Sequence, residues 1–177
     1  MLSQDIPKIG SQPRAQVGAT ETYSKNILGP VFFTLCNLRF AGAGDMATDK
    51  YPAPEQNNYI VAEDEEYMVS VDVEFSRNPL TSLLLCLGMK LDVCFSFEAI
   101  GKKGEDLDIT ESIVTRKDVY TYTITHKGKP GADGFGNTFY AGAATATVNP
   151  PDHPCAPNCP FGFGYLATVL VQVYPRF

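Results

Sequence analysis

The sequence has no tryptophan and only two histidines, His126 and His153, in 177 residues. It has no Asn-x-Ser/Thr triplet, and its longest unbroken apolar run is the five residues 83–87. Each shortage excludes something. Two histidines leave little material for general-base or thiol–imidazole catalysis, and no Gly-x-Ser-x-Gly turn is present for a serine hydrolase. A run of five cannot cross a hydrocarbon layer that takes about 20 apolar residues. Charge is sparse at 19%, and bases are the scarcer sign, with 14 Lys and Arg against 20 Asp and Glu, a net of −6. That balance predicts neither a nucleic-acid partner, which would need phosphate neutralisation, nor an anionic membrane partner. The first residues show no basic stretch leading into an apolar one, so no secretory signal is predicted and the cytoplasm is the expected compartment. Five cysteines, at 36, 86, 94, 155 and 159, are an odd number and do not form a complete disulfide framework.

What is present is enough apolar material for a core, 44% of the residues, in a chain the length of one domain. Residues 1–25 read as a loose N-terminal arm or edge strand and 26–177 as a single domain. Period-2 alternation is clearest at 66–75, where Tyr67, Val69, Val71, Val73 and Phe75 form a core face and the other face reads as mostly wet. It recurs at 90–100. Further strand segments are 31–40, 107–114, 119–126, 138–148 and 165–174, separated by turn residues. The stretch 80–88 does not alternate and reads as one or two helical turns stopped by Gly88, or as a buried crossover. The glycine-rich 127–137 reads as a mobile hairpin loop. About seven strands and no helix of ten residues predict an all-β fold, an antiparallel β-sandwich.

Tyr140 stands near the start of the penultimate strand, with Gly142 two positions on. This resembles the tyrosine corner of immunoglobulin-like domains, in which the phenol hydroxyl bonds back to the chain at the strand's entrance. The resemblance covers about ten residues and implies a disulfide-free relative of that architecture. A plain core aromatic is the other reading of Tyr140.

Acidity is concentrated in one segment. Nine acids and one base between 45 and 74 give −8, so the rest of the chain is +2. The run Glu63, Asp64, Glu65, Glu66 reads as a solvated loop or as a contact for a basic partner, and it lacks the ligand spacing of a calcium loop. A second candidate is the proline-rich 152–160, where His153, Cys155 and Cys159 offer zinc ligands without a fourth. A local Cys155–Cys159 disulfide and two free thiols are the alternatives. Cys86, within the leucine run, reads as a small core residue. In 161–165 the rings Phe161, Phe163 and Tyr165 fall on alternate positions, hence on one face if extended, either as core or as a partner surface. Carboxylate pairs such as Asp72 with Glu74, or Asp92 with Glu98, are the remaining enzymatic possibility, hydrolysis of sugars.

The expected function is therefore a non-enzymatic binding or structural module that associates with itself or with another protein. Glu63, Asp64, Glu65, Glu66, Phe161 and Phe163 are its candidate contacts, and it needs no cofactor. A zinc- or redox-linked protein using His153, Cys155 and Cys159 is the alternative.

Overall fold

The structure is a computed structural model that describes residues 23–25, 29–42, 59–101 and 104–175. In chain order these form β1 (Tyr23–Lys25), β2 (Phe33–Gly42), β3 (Ile60–Ala62), β4 (Tyr67–Phe75), α1 (Pro79–Leu87), β5 (Lys90–Ile100), β6 (Leu107–Val114), β7 (Thr121–Gly128), α2 (Pro130–Asp133), β8 (Phe139–Asn149) and β9 (Gly162–Tyr174). The protein is mostly β. One sheet has the order β1-β2-β4-β7 and the other β3-β9-β8-β5-β6.

The first sheet is antiparallel throughout. The second is mixed, because β3 runs parallel to β9 while its other pairs are antiparallel. A wholly antiparallel arrangement is thus corrected at one edge. Beyond the seven strands are β1, a sheet margin within the 1–25 segment read as a loose arm or edge strand, of which residues 1–22 lie outside the described residues, and β3; each is three residues long. Three residues cannot display a period, so these strands exist only through their neighbours.

Inward side chains of both sheets enter one hydrophobic cluster. Phe40 of β2 meets Phe97 of β5 edge-on at 6.2 Å between ring centroids. Phe33 of β2 lies over Gly162 and Gly164 of β9, where a built Cβ would come within 2.8 and 2.7 Å of the ring. The alternation Phe-Gly-Phe-Gly-Tyr therefore has a packing cause. Glycine leaves room for the opposing ring on the inner face, and the aromatics of β9 stand outward.

The 127–137 segment is not a bare loop: it holds the end of β7 and a short helix. Pro130 opens the short α2, Gly134 closes it in the left-handed region at φ 99°, and Phe135 is buried. Its ring contacts Tyr67, Phe97 and Tyr140, the latter two at 5.0 Å. Tyr140 is itself fully buried, and its hydroxyl accepts a hydrogen bond of 2.6 Å from the Gly136 amide, four residues upstream.

The 80–88 segment is the helix α1. Asn78 caps it by accepting from the Thr81 amide at 2.8 Å, and Gly88 ends it at φ 80°. No helix among the described residues is long and apolar enough to cross a membrane.

Candidate functional site

Three polar clusters and one apolar end hold the described side chains with chemical potential. The first cluster lies on the outer face of the β1-β2-β4-β7 sheet. The pairing of β2 with β4 slips between Cys36 and Arg39, and Asn37 takes a positive φ of 54°, a conformation asparagine tolerates better than most residues. The slip brings three donors to Asp72: Asn37 Nδ2 at 2.7 Å, the Arg39 guanidinium at 2.9 Å and Thr123 Oγ1 at 2.7 Å. Arg39 Nε also donates to Ser70 Oγ at 3.0 Å. Ser70 and Asp72 are buried, so the outer face of β4 is not mostly wet as its alternation predicts. Nearby, burial first and the Glu74 and Asp72 carboxylates second push the Cys36 thiol up to about 11, which suppresses its thiolate at neutral pH.

The second cluster lies on the outer face of the other sheet. Asp92 accepts from the Ser112 hydroxyl, from Asn149 Nδ2 at 2.8 Å, and from Lys90 Nζ at 3.0 Å. Burial works to raise its pKa, but hydrogen bonds from Ser112, Lys90 and Asn149 outweigh burial and hold the carboxyl below its ordinary value. Of the two sugar-hydrolysis pairs, Asp92 with Glu98 does not assemble here. Asp92 and Glu98 are six residues apart on one extended strand, roughly 20 Å, beyond the ~5–10 Å between glycosidase carboxylates. Asp72 is enclosed by its donors, whereas Glu74 is exposed.

The third cluster closes the side of the molecule where β6 and β7, the margins of the two sheets, approach each other. His126 Nδ1 on β7 lies 2.8 Å from Glu111 Oε1 on β6, and its Nε2 is 3.4 Å from Asp133 Oδ2 on α2. The Tyr67 hydroxyl donates to the same Asp133 oxygen at 2.8 Å. Burial, then that hydrogen bond, pushes the Tyr67 phenol upward, so it stays a donor.

The apolar end is built by α1 and the loop 149–160 between β8 and β9. The loop carries Pro150, Pro151, Pro154, Pro157 and Pro160 and is closed at its base, where the Phe161 amide donates to the Val148 carbonyl at 2.7 Å. Two adjoining recesses flank it, of about 830 and 310 Å³, and both include Leu87, Pro151, His153 and Pro157 in their walls. Thr81 and Leu85 are the buried line of α1. Its other line, Leu80, Leu83 and Leu87, is 47, 57 and 57% exposed. Cys86 is exposed as well, a correction to its reading as core, because it lies off the Thr81–Leu85 line.

The sequence-derived candidates are dispersed. Glu63, Asp64, Glu65 and Glu66 form the turn from β3 to β4, in which Glu65 Oε2 accepts from the Ala62 amide at 3.2 Å and the Glu63 carbonyl accepts from Gly131. The Glu63 amide bonds the Tyr174 carbonyl at the end of β9. Phe163 stands at the beginning of that strand, so the acidic turn and the aromatic segment are on the order of 35 Å apart. Phe163 and Tyr165 share the outer face of β9, but Phe161 precedes the strand, packs against the core and lines the smaller recess. Three rings on one face are therefore corrected to two. His153, Cys155 and Cys159 are exposed, and His153 Nδ1 accepts from the Cys155 amide at 3.1 Å. No group of three His, Cys, Asp or Glu among the described residues is placed to hold a metal ion.

The leucine line is what sequence reasoning passed over. Its signal was the i, i+3, i+7 spacing, a pattern that ordinarily marks the buried line of a helix, whereas here the buried line is Thr81 and Leu85. Neither the known protein-family models nor the curated proteins give a match to this sequence.

Proposed function

We propose that the protein is a non-enzymatic binding module with an immunoglobulin-like β-sandwich architecture, whose apolar end takes side chains of a partner protein. The observation that carries this reading is the line Leu80, Leu83 and Leu87, about half exposed, beside a 310 Å³ recess walled by Leu84, Ala156, Pro157 and Phe161. Covering what remains exposed of each leucine gains on the order of 1 kcal/mol. A recess of this kind accepts an aliphatic or aromatic anchor from a partner. The proline content and closed base of the loop lower the ordering cost of binding.

The strand order supports the architectural part. The neighbours β2-β4-β7 correspond to strands A, B and E of an immunoglobulin-like domain, and β9-β8-β5-β6 correspond to G, F, C and C′. Tyr140 then falls at the start of strand F with its hydroxyl bonded upstream. A counterpart of strand D is absent from the described residues, and β1 and β3 are additions.

Photo-crosslinking tests the binding reading. A photoreactive residue at position 83 is expected to capture a discrete protein in extracts of the source cell, and Leu80→Glu with Leu87→Glu is expected to abolish the product. Equal products from position 83 and from position 98, on the outer face of β5, overturn the proposal.

A further inference from the structure

Strand β6 is an eight-residue sheet margin whose only blunting groups are its own two carboxylates, outward Asp108 and inward Glu111. It pairs with β5 over eight consecutive positions with no slip, and no described segment pairs with its other side. The other margins differ. β1 and β3 are three residues long, and β7 carries Lys127 beside α2. Natural sheets blunt free margins with short strands, charged side chains, inward-pointing charges, proline or bulges; of these β6 has only Asp108 and Glu111, and Glu111 is engaged by His126 at 2.8 Å. The sequence of β6, LDITESIV, contains no lysine, proline or glycine. The amides and carbonyls on that side, unpaired among the described residues, are a template for another strand.

We propose that β6 pairs antiparallel with β6 of a second copy about a two-fold axis at Thr110, joining the two five-stranded sheets edge to edge. The sequence of β6 selects both the partner and the register. Directly opposed residues in an antiparallel pair point to the same face, so an axis perpendicular to the sheet must pass a residue, not a gap between residues. With the axis at Thr110, Thr110 meets its own copy, Asp108 meets Ser112, Ile109 meets Glu111 and Leu107 meets Ile113. No like charges oppose each other, and both threonine–threonine and apolar pairs are favourable. With the axis one residue on, Glu111 would oppose Glu111, which is destabilising. In the Thr110 register the existing row Tyr165, Thr145, Cys94, Thr110 continues into the second copy as one sheet face. The contact abuts the larger recess, which Ser112, Ile113 and Val114 of β6 help to wall, but it does not include the leucine line of α1 or the smaller recess on which the proposed function rests.

Sedimentation equilibrium of the full chain provides the test. The wild type is expected to dimerise reversibly with concentration, Thr110→Lys and Thr110→Glu are each expected to remain monomeric with unchanged circular dichroism, and their equimolar mixture is expected to dimerise again because unlike charges then meet at the axis. Thr121→Lys, on the β7 margin, should dimerise as the wild type does. A wild type that is monomeric up to its solubility limit overturns the proposal. So does a dimer indifferent to Thr110→Lys, a loss that the mixture does not restore, or a dimer abolished instead by Leu83→Glu.

Discussion

Tyr140 joins packing and hydrogen bonding in one side chain. Its ring is fully buried against Phe135, and its hydroxyl satisfies the Gly136 amide. Tyr140→Phe keeps the ring and strands the amide, which should cost about 1–3 kcal/mol, read as a lowered urea midpoint with an unchanged slope. Asp92 sets a pH dependence instead. Its carboxyl is held below the ordinary value only in the folded chain, so the unfolded chain takes up the proton first as pH falls. The stabilisation is complete above about pH 4, the ordinary carboxylate value, and is lost as pH falls through the depressed folded value. Asp92→Asn should therefore flatten the acid limb of a plot of urea midpoint against pH; an unchanged limb would count against the role of Ser112, Lys90 and Asn149. For Tyr140 the sequence offered the upstream hydrogen bond as one of two readings, because such a partner is only a few residues away. Asp72 was not legible, since its burial depends on a slip in β2 that brings Asn37 and Arg39 across from another strand.

At the scale of elements, alternation located β4, β5 and β6 with boundaries within a residue, because each has one face in the core and a period long enough to read. The three-residue β1 and β3 had no such signal. The Phe-Gly-Phe-Gly-Tyr stretch was visible as a pattern, yet its cause, Phe33 lying on Gly162 and Gly164, belongs to the opposite sheet. Gly164→Ala should push against that ring and cost about 1–3 kcal/mol. Combining it with Phe33→Leu should give a double mutant less destabilised than the sum of the two, measured as a coupling energy by chemical denaturation. Strict additivity would mean that the two elements do not touch there. For α1 the sequence offered one leucine stripe that reads as a core face, and only docking along Thr81 and Leu85 left Leu80, Leu83 and Leu87 outward.

Across the whole molecule, the two sheets share a core and are bridged at one open side by His126, which joins Glu111 on one margin to Asp133 beside the other. Half-exposed Glu111 limits the strength of this bridge. His126→Ala should cost about 1 kcal/mol and raise hydrogen exchange in β6 and β7 well before β2 and β4; a uniform rise would mean that the bridge acts on the fold as a whole. The same scale separates the acidic turn from the aromatic segment, placing one at each end of β9, so an acidic and aromatic contact surface in common is not formed. The sequence by itself determined the class of fold, most strand positions and the concentration of charge between 45 and 74, because period, turn residues and charge act over a few neighbours. The tertiary structure alone decided which glycines lie under a ring, which carboxylates are enclosed, which line of α1 faces water and which strand margins stay unpaired. Each of these depends on two segments far apart in the chain meeting across a sheet or a core, and no local pattern encodes that meeting.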